Sequence, residues 1–222
     1  VYNLTTSVPE GTDSTGSRLK TLTHKQNSFF IQNNVKVNSQ TDLYLNARFI
    51  QLSDKAYSAG TFLNNPGTPL GELNKNYFIP SIGLTYKVNH QVTNYISYSE
   101  GIEPGTKPIE TSFIDASPLK PRKTNQIEVG SKYMHNHDSL LAITAFKSVR
   151  PNEYVNQNTY DSNTGTYASI LQDGKVKHTG LELSYSQKLS NRLNVVSSAM
   201  YIRAIQQGSD FSNMNGMQAM GI

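Results

Sequence analysis

Apolar and polar residues alternate with a period of two along most of this chain, and that alternation predicts β-strands. Phe29, Ile31, Val35 and Val37 fall on one face, with Phe30, Gln32, Asn34 and Lys36 on the other. After a short turn, Leu43, Leu45, Ala47 and Phe49 oppose Tyr44, Asn46 and Arg48. A third strand sets Ile82, Leu84, Tyr86 and Val88 against Ser81, Gly83, Thr85 and Lys87, and its partner runs from Tyr95 to Glu100. The fifth, Thr124 to Tyr133, places Ile127, Val129 and Tyr133 opposite Gln126, Glu128, Gly130 and Lys132. The sixth, Leu140 to Val149, is apolar on both faces near its start, so its facing stays open. The seventh sets Leu181, Leu183 and Tyr185 against Glu182, Ser184 and Ser186, and the eighth runs from Leu193 to about Ile205.

The connections are of two kinds. Short polar turns join strands in pairs, and the two clearest, at Lys36 to Gln40 and Lys87 to Gln91, share a Lys-Val-Asn-x-Gln core; looser copies lie at Met134 to Asp138 and Ser190 to Arg192. Long connections separate the pairs: residues 53–77, with the breakers Asn65-Pro66-Gly67 and Pro69-Leu70-Gly71, then Gly101 to about Lys120, then Pro151 to Ala168. Residues 1–25, rich in Thr, Ser, Gly and Pro, read as a further long loop. Short turns at one end and long loops at the other are the layout of an outer-membrane barrel. A soluble β-sandwich also alternates, but it mixes long and short connections at both ends. Strands of about ten residues, rising about 3.4 Å each at about 45° tilt, span roughly 24 Å. Phe49, Tyr86, Tyr98, Tyr133, Tyr185 and Tyr201, on the apolar faces near strand ends, suit a membrane-water girdle.

Composition agrees with strands rather than spanning helices. Only 36% of the 222 residues are hydrophobic, mean hydropathy is -0.50, and no run approaches the roughly 18 apolar residues a spanning helix requires. Asn, Ser, Thr, Gln and 13 Tyr take the place of the missing apolar residues. Cysteine is absent, so disulfide and thiolate-metal chemistry are excluded. The net charge of +4 comes from 20 scattered basic residues, with no block of the kind that grips nucleic acid. The start, Val1-Tyr2-Asn3, carries no signal-peptide pattern, and the chain is expected to be a segment of something longer. An open eight-stranded arc would leave roughly five N–H and five C=O groups unpaired at each edge, at several kcal/mol apiece in hydrocarbon. Either the strands close on themselves or neighbouring strands complete the wall.

Catalytic chemistry has no footing in the sequence. There is no phosphate-binding Gly-rich loop and no Gly-x-Ser-x-Gly elbow, and no enzyme is expected. His135 and His137 share a strand-like face but lack a third ligand, so no metal is expected there. Asp161 to Gly165 has the look of a calcium loop without its downstream Glu and is expected to be a turn.

Specific words in the chain point further. Phe78-Ile-Pro-Ser-Ile-Gly-Leu-Thr-Tyr86, followed by Tyr95-Ile-Ser-Tyr-Ser-Glu-Gly-Ile-Glu-Pro-Gly105, resembles a hairpin of TonB-dependent siderophore receptors. Leu119 to Lys132 is similar to their L-x-P-E-x-S-x-Q-x-E-x-G-x-K strand, and Gln172 to Leu183 to their G-x-x-x-S-x-G-x-E-x-E strand. Phe30-Ile-Gln-Asn33 is similar to an F-x-Q-D strand that follows a long outer loop. Arg122 stands where Glu is usual and Ile102 replaces a common Phe, which leaves the cargo open.

The resemblance implies an all-β antiparallel meander of about eight transmembrane strands, an internal part of a 22-stranded barrel with a plugged lumen. Residues 1–222 would be a partial barrel domain, with the plug and the C-terminal strands lying outside it. The whole receptor would bind a ferric siderophore at its outer mouth and import it with energy from the TonB complex acting through the plug. Outer-membrane lipid would surround the barrel in a Gram-negative cell, nucleic acid would not be a partner, and the ferric siderophore would be a transported ligand rather than a cofactor. Arg48, Lys87, Glu128, Lys132 and Glu182 would line the lumen against the plug. Tyr57, Phe62, Phe113, Tyr154, Tyr160 and Tyr167 would offer aromatic surface to the chelate, unless each packs its own loop. The alternative is a complete eight-stranded outer-membrane barrel with a structural or adhesive role, which requires the first and last strands to pair.

Overall fold

The computed structural model describes residues 19–60, 64–108, 112–113, 115–136, 138–155, 159–163, 165–168 and 170–207. Their strands are β1 (Leu22–Lys36), β2 (Thr41–Tyr57), β3 (Pro69–Lys87), β4 (Val92–Glu103), β5 (Arg122–Asn136), β6 (Ser139–Pro151), β7 (Tyr154–Val155), β8 (Ile170–Leu171), β9 (Lys175–Ser190) and β10 (Leu193–Gln207). Eight of them form one antiparallel sheet in the order β1-β2-β3-β4-β5-β6-β9-β10, and β7 pairs with β8 within the β6–β9 connection. Strands β1 and β10 are the two edges and do not pair with each other. The sheet is therefore an open arc of wall, and the closed eight-stranded alternative is not its architecture.

Register assigns every face. Leu43, Leu84, Ile96, Val129, Ala145, Leu181 and Tyr201 are matched one to the next from β2 to β10, so they form one row on one side of the sheet. Ile96, Val129 and Leu181 are about half exposed or a little less, as an apolar face lacking a protein partner must be; this is the lipid-facing side. The facing of β6, ambiguous in sequence, is settled by its pairing: Leu141, Ile143 and Ala145 stand across from Tyr133, Ser131 and Val129, so they point to lipid. Leu140, Ala142, Thr144 and Phe146 then point inward.

The aromatic girdle is present at both limits of this face. Tyr86, Tyr133 and Tyr185 lie toward the short turns, and Phe49, Phe78, Tyr98 and Tyr201 lie toward the long loops, with the Phe49 and Phe78 rings 4.9 Å apart. Along β3 the eight steps from Phe78 to Tyr86 correspond to about 20 Å of bilayer at a 45° tilt. Three of the tyrosines place their hydroxyl on the polar residue two positions farther from the bilayer: Tyr98 donates to Glu100 at 2.6 Å, Tyr185 donates to Gln187, and Tyr133 bonds His135 at 3.2 Å. An amphipathic ring with its polar tip aimed at water is what an interface selects.

The short turns repeat one device. In the two Lys-Val-Asn-x-Gln copies the Asn side-chain oxygen accepts the backbone N–H two residues on, Asn38 from Gln40 at 2.9 Å and Asn89 from Gln91 at 2.8 Å. Asn136 does the same for Asp138, and Ser190 for Arg192. These are side-chain mimics of a backbone turn. Each of the first three turns also accepts a bond from the next strand pair, through Gln40, Gln91 and Asp138 carbonyls, which tie the turns into a continuous rim.

The strands run well past the ten residues expected. The eight strands of the wall have 12 to 19 residues, and much of the predicted loop 53–77 is strand, with β2 reaching Tyr57 and β3 starting at Pro69. Strand β1 likewise begins at Leu22, inside the predicted loop 1–25, and β4 runs on to Glu103. The cause is an inversion of pattern. Beyond Phe49 the buried residues are Ile50, Leu52 and Ala56, on the inner face, whereas the outward face turns polar with Gln51, Ser53 and Lys55. Above the bilayer the outward side meets water and the inner side is covered, so the apolar stripe changes sides while the backbone continues.

Candidate functional site

The long connections gather over the inner face at the end opposite the turns. Residues 104–121 leave β4 and return to β5 through a narrow neck, where Leu119 N–H donates to the Thr106 carbonyl at 3.2 Å. Pro104-Gly105 is part of the family-like word at the end of β4, and a Cβ on Gly105 would lie 2.1 Å from the Leu119 carbonyl oxygen. The loop then reaches across the outer ends of β3, β2 and β1. Ser117 donates to the Leu70 carbonyl at 2.9 Å, and the Lys107 ammonium donates to the Thr21 carbonyl at 2.8 Å. Ala116 and Phe113 are buried in this loop.

A second connection, residues 152–174, meets the first. Tyr167 N–H donates to the Ser112 carbonyl at 2.8 Å and Asp115 N–H to the Ala168 carbonyl at 3.1 Å, making a local bridge between Phe113 and Tyr167. Asp161 to Thr166 is a tight turn: Asp161 accepts from Asn163 N–H through its side chain and from Gly165 N–H through its carbonyl, with Gly165 at φ +68. The calcium-loop likeness of this stretch is thereby accounted for by turn chemistry.

Glu153 joins the two loops. One carboxylate oxygen accepts from the Thr106 hydroxyl at 2.5 Å, the other from the Gln172 amide at 2.6 Å, and Arg122 lies 3.6 Å away; the Glu153 side chain is 7% exposed. Arg122 also pairs with Glu103 at 3.1 Å, and Gln172 donates to the Lys120 carbonyl at 2.7 Å. Arg122 is thus the cation of a five-residue polar knot with Glu103, Thr106, Glu153 and Gln172. Nothing local in the sequence distinguishes Glu153 from any other loop carboxylate.

The predicted loop aromatics separate into three groups. Phe113, Tyr160 and Tyr167 come together, with ring centroids 5.9 Å apart for Phe113–Tyr167 and 5.0 Å for Tyr160–Tyr167. Phe113 is buried beneath the cluster while Tyr160 is 52% exposed at its surface. Tyr154 is buried in the β7–β8 ribbon, and Tyr57 lies beneath the Lys20 ammonium at 5.8 Å. These two serve their own surroundings. Phe62 lies outside the described residues, as does His137; the ring of His135 bonds the Tyr133 hydroxyl.

The wall residues expected to line the lumen do share the inner face, but they do not converge. Arg48 donates to Ser28 at 3.1 Å, Lys87 pairs with Asp42 at 3.0 Å, and Glu128 accepts from the Gln126 amide. Lys132 lies over the Tyr95 ring at 5.4 Å, and the Tyr95 hydroxyl bonds Thr144 at 2.7 Å. Glu182 stands across from Thr144 and Met200. The family-like glycines have a clear role on this face: a Cβ at Gly130 would meet the Tyr95 ring at 2.5 Å, and one at Gly180 would meet the Phe146 ring at 2.5 Å and the Tyr201 carbonyl oxygen at 2.6 Å. Each lets a neighbouring ring lie flat along the wall.

Among the described residues there is no cluster of metal ligands. The arrangement can hold a ligand by shape, stacking and hydrogen bonds. Residues 2–219 match the family described as TonB dependent receptor-like, beta-barrel. The ferrioxamine receptor of Yersinia enterocolitica is 28% identical over 141 residues, 64% of this chain and 18% of that protein. The ferrichrome outer membrane transporter/phage receptor of Escherichia coli K12 is 29% identical over 122 residues, 55% of this chain and 15% of that protein. Among solved structures, the ferric preacinetobactin receptor from Acinetobacter baumannii superposes with a TM-score of 0.66 at 19% identity, covering 90% of this chain and 28% of that one. The chain therefore spans under a fifth of the curated relatives it matches. Its match over nearly all 222 residues, its open meander and its girdled apolar face together make it wall of a Gram-negative outer-membrane barrel, a member of the TonB-dependent receptor-like β-barrel family.

Proposed function

We propose that this segment belongs to an outer-membrane receptor that binds ferric siderophores and imports them with energy from the TonB complex. The observation that carries the reading is the match of residues 2–219 to the receptor barrel family, together with relatives whose names specify ferrioxamine and ferrichrome. In this reading residues 1–222 supply an internal part of a 22-stranded barrel. The neighbouring strands satisfy the outer edges of β1 and β10, whose unpaired groups would otherwise cost several kcal/mol each in hydrocarbon. The inner-face residues Arg48, Glu128 and Glu182 face the plug through which TonB acts. The chelate meets the mouth at the knotted loops, where Tyr160 and Tyr167 present ring surface over the buried Phe113. Binding and movement suffice for this activity, with no covalent step and no resident cofactor.

The test is uptake of radioactive iron by cells that carry the complete receptor as their sole route for the chelate tried, with a panel of hydroxamate, catecholate and mixed siderophores. Uptake of at least one ferric chelate, abolished without TonB, is expected. If no ferric chelate is taken up but another nutrient is, the cargo assignment is wrong. Tyr160→Ala should weaken chelate binding while Tyr57→Ala leaves it unchanged, since only the former is part of the exposed ring cluster.

A further inference from the structure

On the inner face, the long-loop end of the wall carries an arginine that no described residue neutralises. Even-numbered residues of β5, β6 and β9 point inward, so Arg122, Thr124, Arg150 and His178 share this face. Thr124 and Arg150 follow the matched pair Asn125–Val149 on adjacent strands, and Arg150 is the diagonal neighbour of His178 through the Arg150–Val176 and Ser148–His178 pairs. Arg122 has carboxylates from Glu103 at 3.1 Å and Glu153 at 3.6 Å, whereas Arg150 makes no ion pair among the described residues. Each of these three strands has both of its neighbours in the sheet, so the absent counter-charge does not reflect a sheet edge. The Arg150 Nε, the Thr124 hydroxyl and the Arg122 Nε are moreover buried with no hydrogen-bond partner among the described residues. Buried donors are rarely left so, because an unmet one loses its bonds to water and gains none. Three of them at neighbouring positions mark a place where an acceptor from outside the segment completes the arrangement.

Space for that acceptor lies beside them. Thr124 and Gln126 form one side of a furrow on the inner face whose other side is Ser99, Gly101 and Glu103, and a Cβ on Gly101 would meet nothing within 4 Å. The Gln126 amide is turned to Glu128 and Glu103 is held by Arg122, so neither side chain answers Arg150. The Arg150 charge is felt locally: burial first, and Arg150 second, hold the His178 imidazole below its usual value. His178 stands across from Ala204, three residues beyond the girdle residue Tyr201, so this is the mouth and not bilayer depth. We propose that this strip of inner wall recognises a carboxylate, with Arg150 as its ion-pairing cation and Thr124 as a hydroxyl donor, and that it makes the receptor select ferric chelates carrying a free carboxylate. An unneutralised guanidinium beside a hydroxyl calls for an anionic, acceptor-only group, and a planar carboxylate matches the guanidinium fork. The Phe113–Tyr160–Tyr167 cluster is built from other residues, so charge and ring contact are separate determinants. The selection, though not the carboxylate site itself, rests on the import reading.

The test uses the complete receptor purified in detergent, with iron-free citrate as the probe in isothermal titration calorimetry. Citrate should bind the unaltered protein, and Arg150→Gln should weaken it by about 10- to 100-fold, the size of one hydrogen bond to a charged group. Arg150→Lys should keep part of the affinity, which separates lost charge from misfolding, and Lys147→Gln, on the same strand but facing outward, should have no effect. In the uptake assay, ferric chelates with a free carboxylate should enter faster than those without one, and Arg150→Gln should slow only the former. No citrate binding by the unaltered protein, equal binding by the Arg150→Gln variant, or an equal loss from Lys147→Gln overturns the site. Citrate binding with no such preference among the imported chelates overturns the selection. Absence of uptake for every ferric chelate, with citrate binding and its loss in Arg150→Gln intact, sinks the import reading and leaves the carboxylate site standing, so the two fail separately.

Discussion

Replacing Glu153 by alanine removes a side chain that bonds residues of both mouth loops, and the structure sets the size of the effect. Two charge-assisted hydrogen bonds, at 2.5 Å to Thr106 and 2.6 Å to Gln172, are lost with the longer Arg122 contact at 3.6 Å. A hydrogen bond to a charged group contributes about 1.5–3 kcal/mol. The sum is reduced because the Thr106 bond is exposed, and because Gln172 keeps the Lys120 carbonyl and Arg122 keeps Glu103. We expect a net loss of about 2–4 kcal/mol in the local opening energy of the loops. Hydrogen exchange is the assay, read at the amides the knot protects: Leu119 N–H, bonded to Thr106, and Asn152 N–H, bonded to Gly174. Their exchange should quicken by about 30- to 1,000-fold, since 1.4 kcal/mol corresponds to a factor of ten, while strand amides of β3 and β5 stay unchanged. Glu153→Gln should be milder. Its oxygen can still accept from Gln172 and its amide can donate to the Thr106 hydroxyl, so chiefly the Arg122 attraction is lost. Unchanged exchange at Leu119 and Asn152 in the alanine variant would refute the claim that Glu153 ties the loops.

Gly180→Ala places a Cβ 2.6 Å from the Tyr201 carbonyl oxygen, which cannot move as a ring can, so a destabilisation of about 1–3 kcal/mol in urea unfolding is expected; Gly101→Ala, which meets nothing within 4 Å, should be near neutral, and equal midpoints for the two would contradict this. Asn89→Ala removes an acceptor of two backbone bonds, from Gln91 and Val92 at 2.8 Å each, and should cost about 1 kcal/mol by the same assay, with Asn89→Asp retaining most of it. The Lys55–Glu72 pair, on the outward side above the bilayer, is pH-limited at both ends. Its mutual hydrogen bond lowers Glu72 from the usual 4.5 and raises Lys55 from the usual 10.5. The pair's stabilisation is therefore full between those two values; it is lost as pH falls through the depressed Glu72 value or rises through the elevated Lys55 value. Side-chain titration by NMR should show both displacements at low salt and see them shrink at high salt, and ordinary titration of either group would count against the pairing.

Some features of this protein are legible residue by residue, and others are not. The facing of β2, β3 and β5 follows from Leu43, Leu84 and Val129 alternating with polar neighbours, because one side of a barrel strand meets hydrocarbon and the other does not. The outer half of β2 is mistaken for loop because Ile50, Leu52 and Ala56 switch to the inner face, and a period-two test that expects one phase reads the switch as a break. The facing of β6 cannot be read at Leu140-Leu141, where both faces are apolar, and its pairing with Tyr133 and Ser131 decides it. Among the aromatic candidates, sequence treats Tyr57, Phe113, Tyr154, Tyr160 and Tyr167 alike. Three-dimensional packing buries Tyr154, gives Tyr57 to Lys20, and brings Phe113, Tyr160 and Tyr167 together.

The amino-acid sequence by itself determined the strand meander, the end at which the turns lie, the girdle residues and the family, because each rests on neighbours within a few positions: alternation, an Asn that closes its own turn, a ring beside an apolar run. Tertiary structure alone decided which loop residues come together and that Glu153 and Arg122 bind the loops to each other. Those outcomes depend on pairs tens of residues apart, such as Thr106 with Glu153 and Lys107 with Thr21. Chain register and loop path bring such pairs into contact, and no local pattern encodes either.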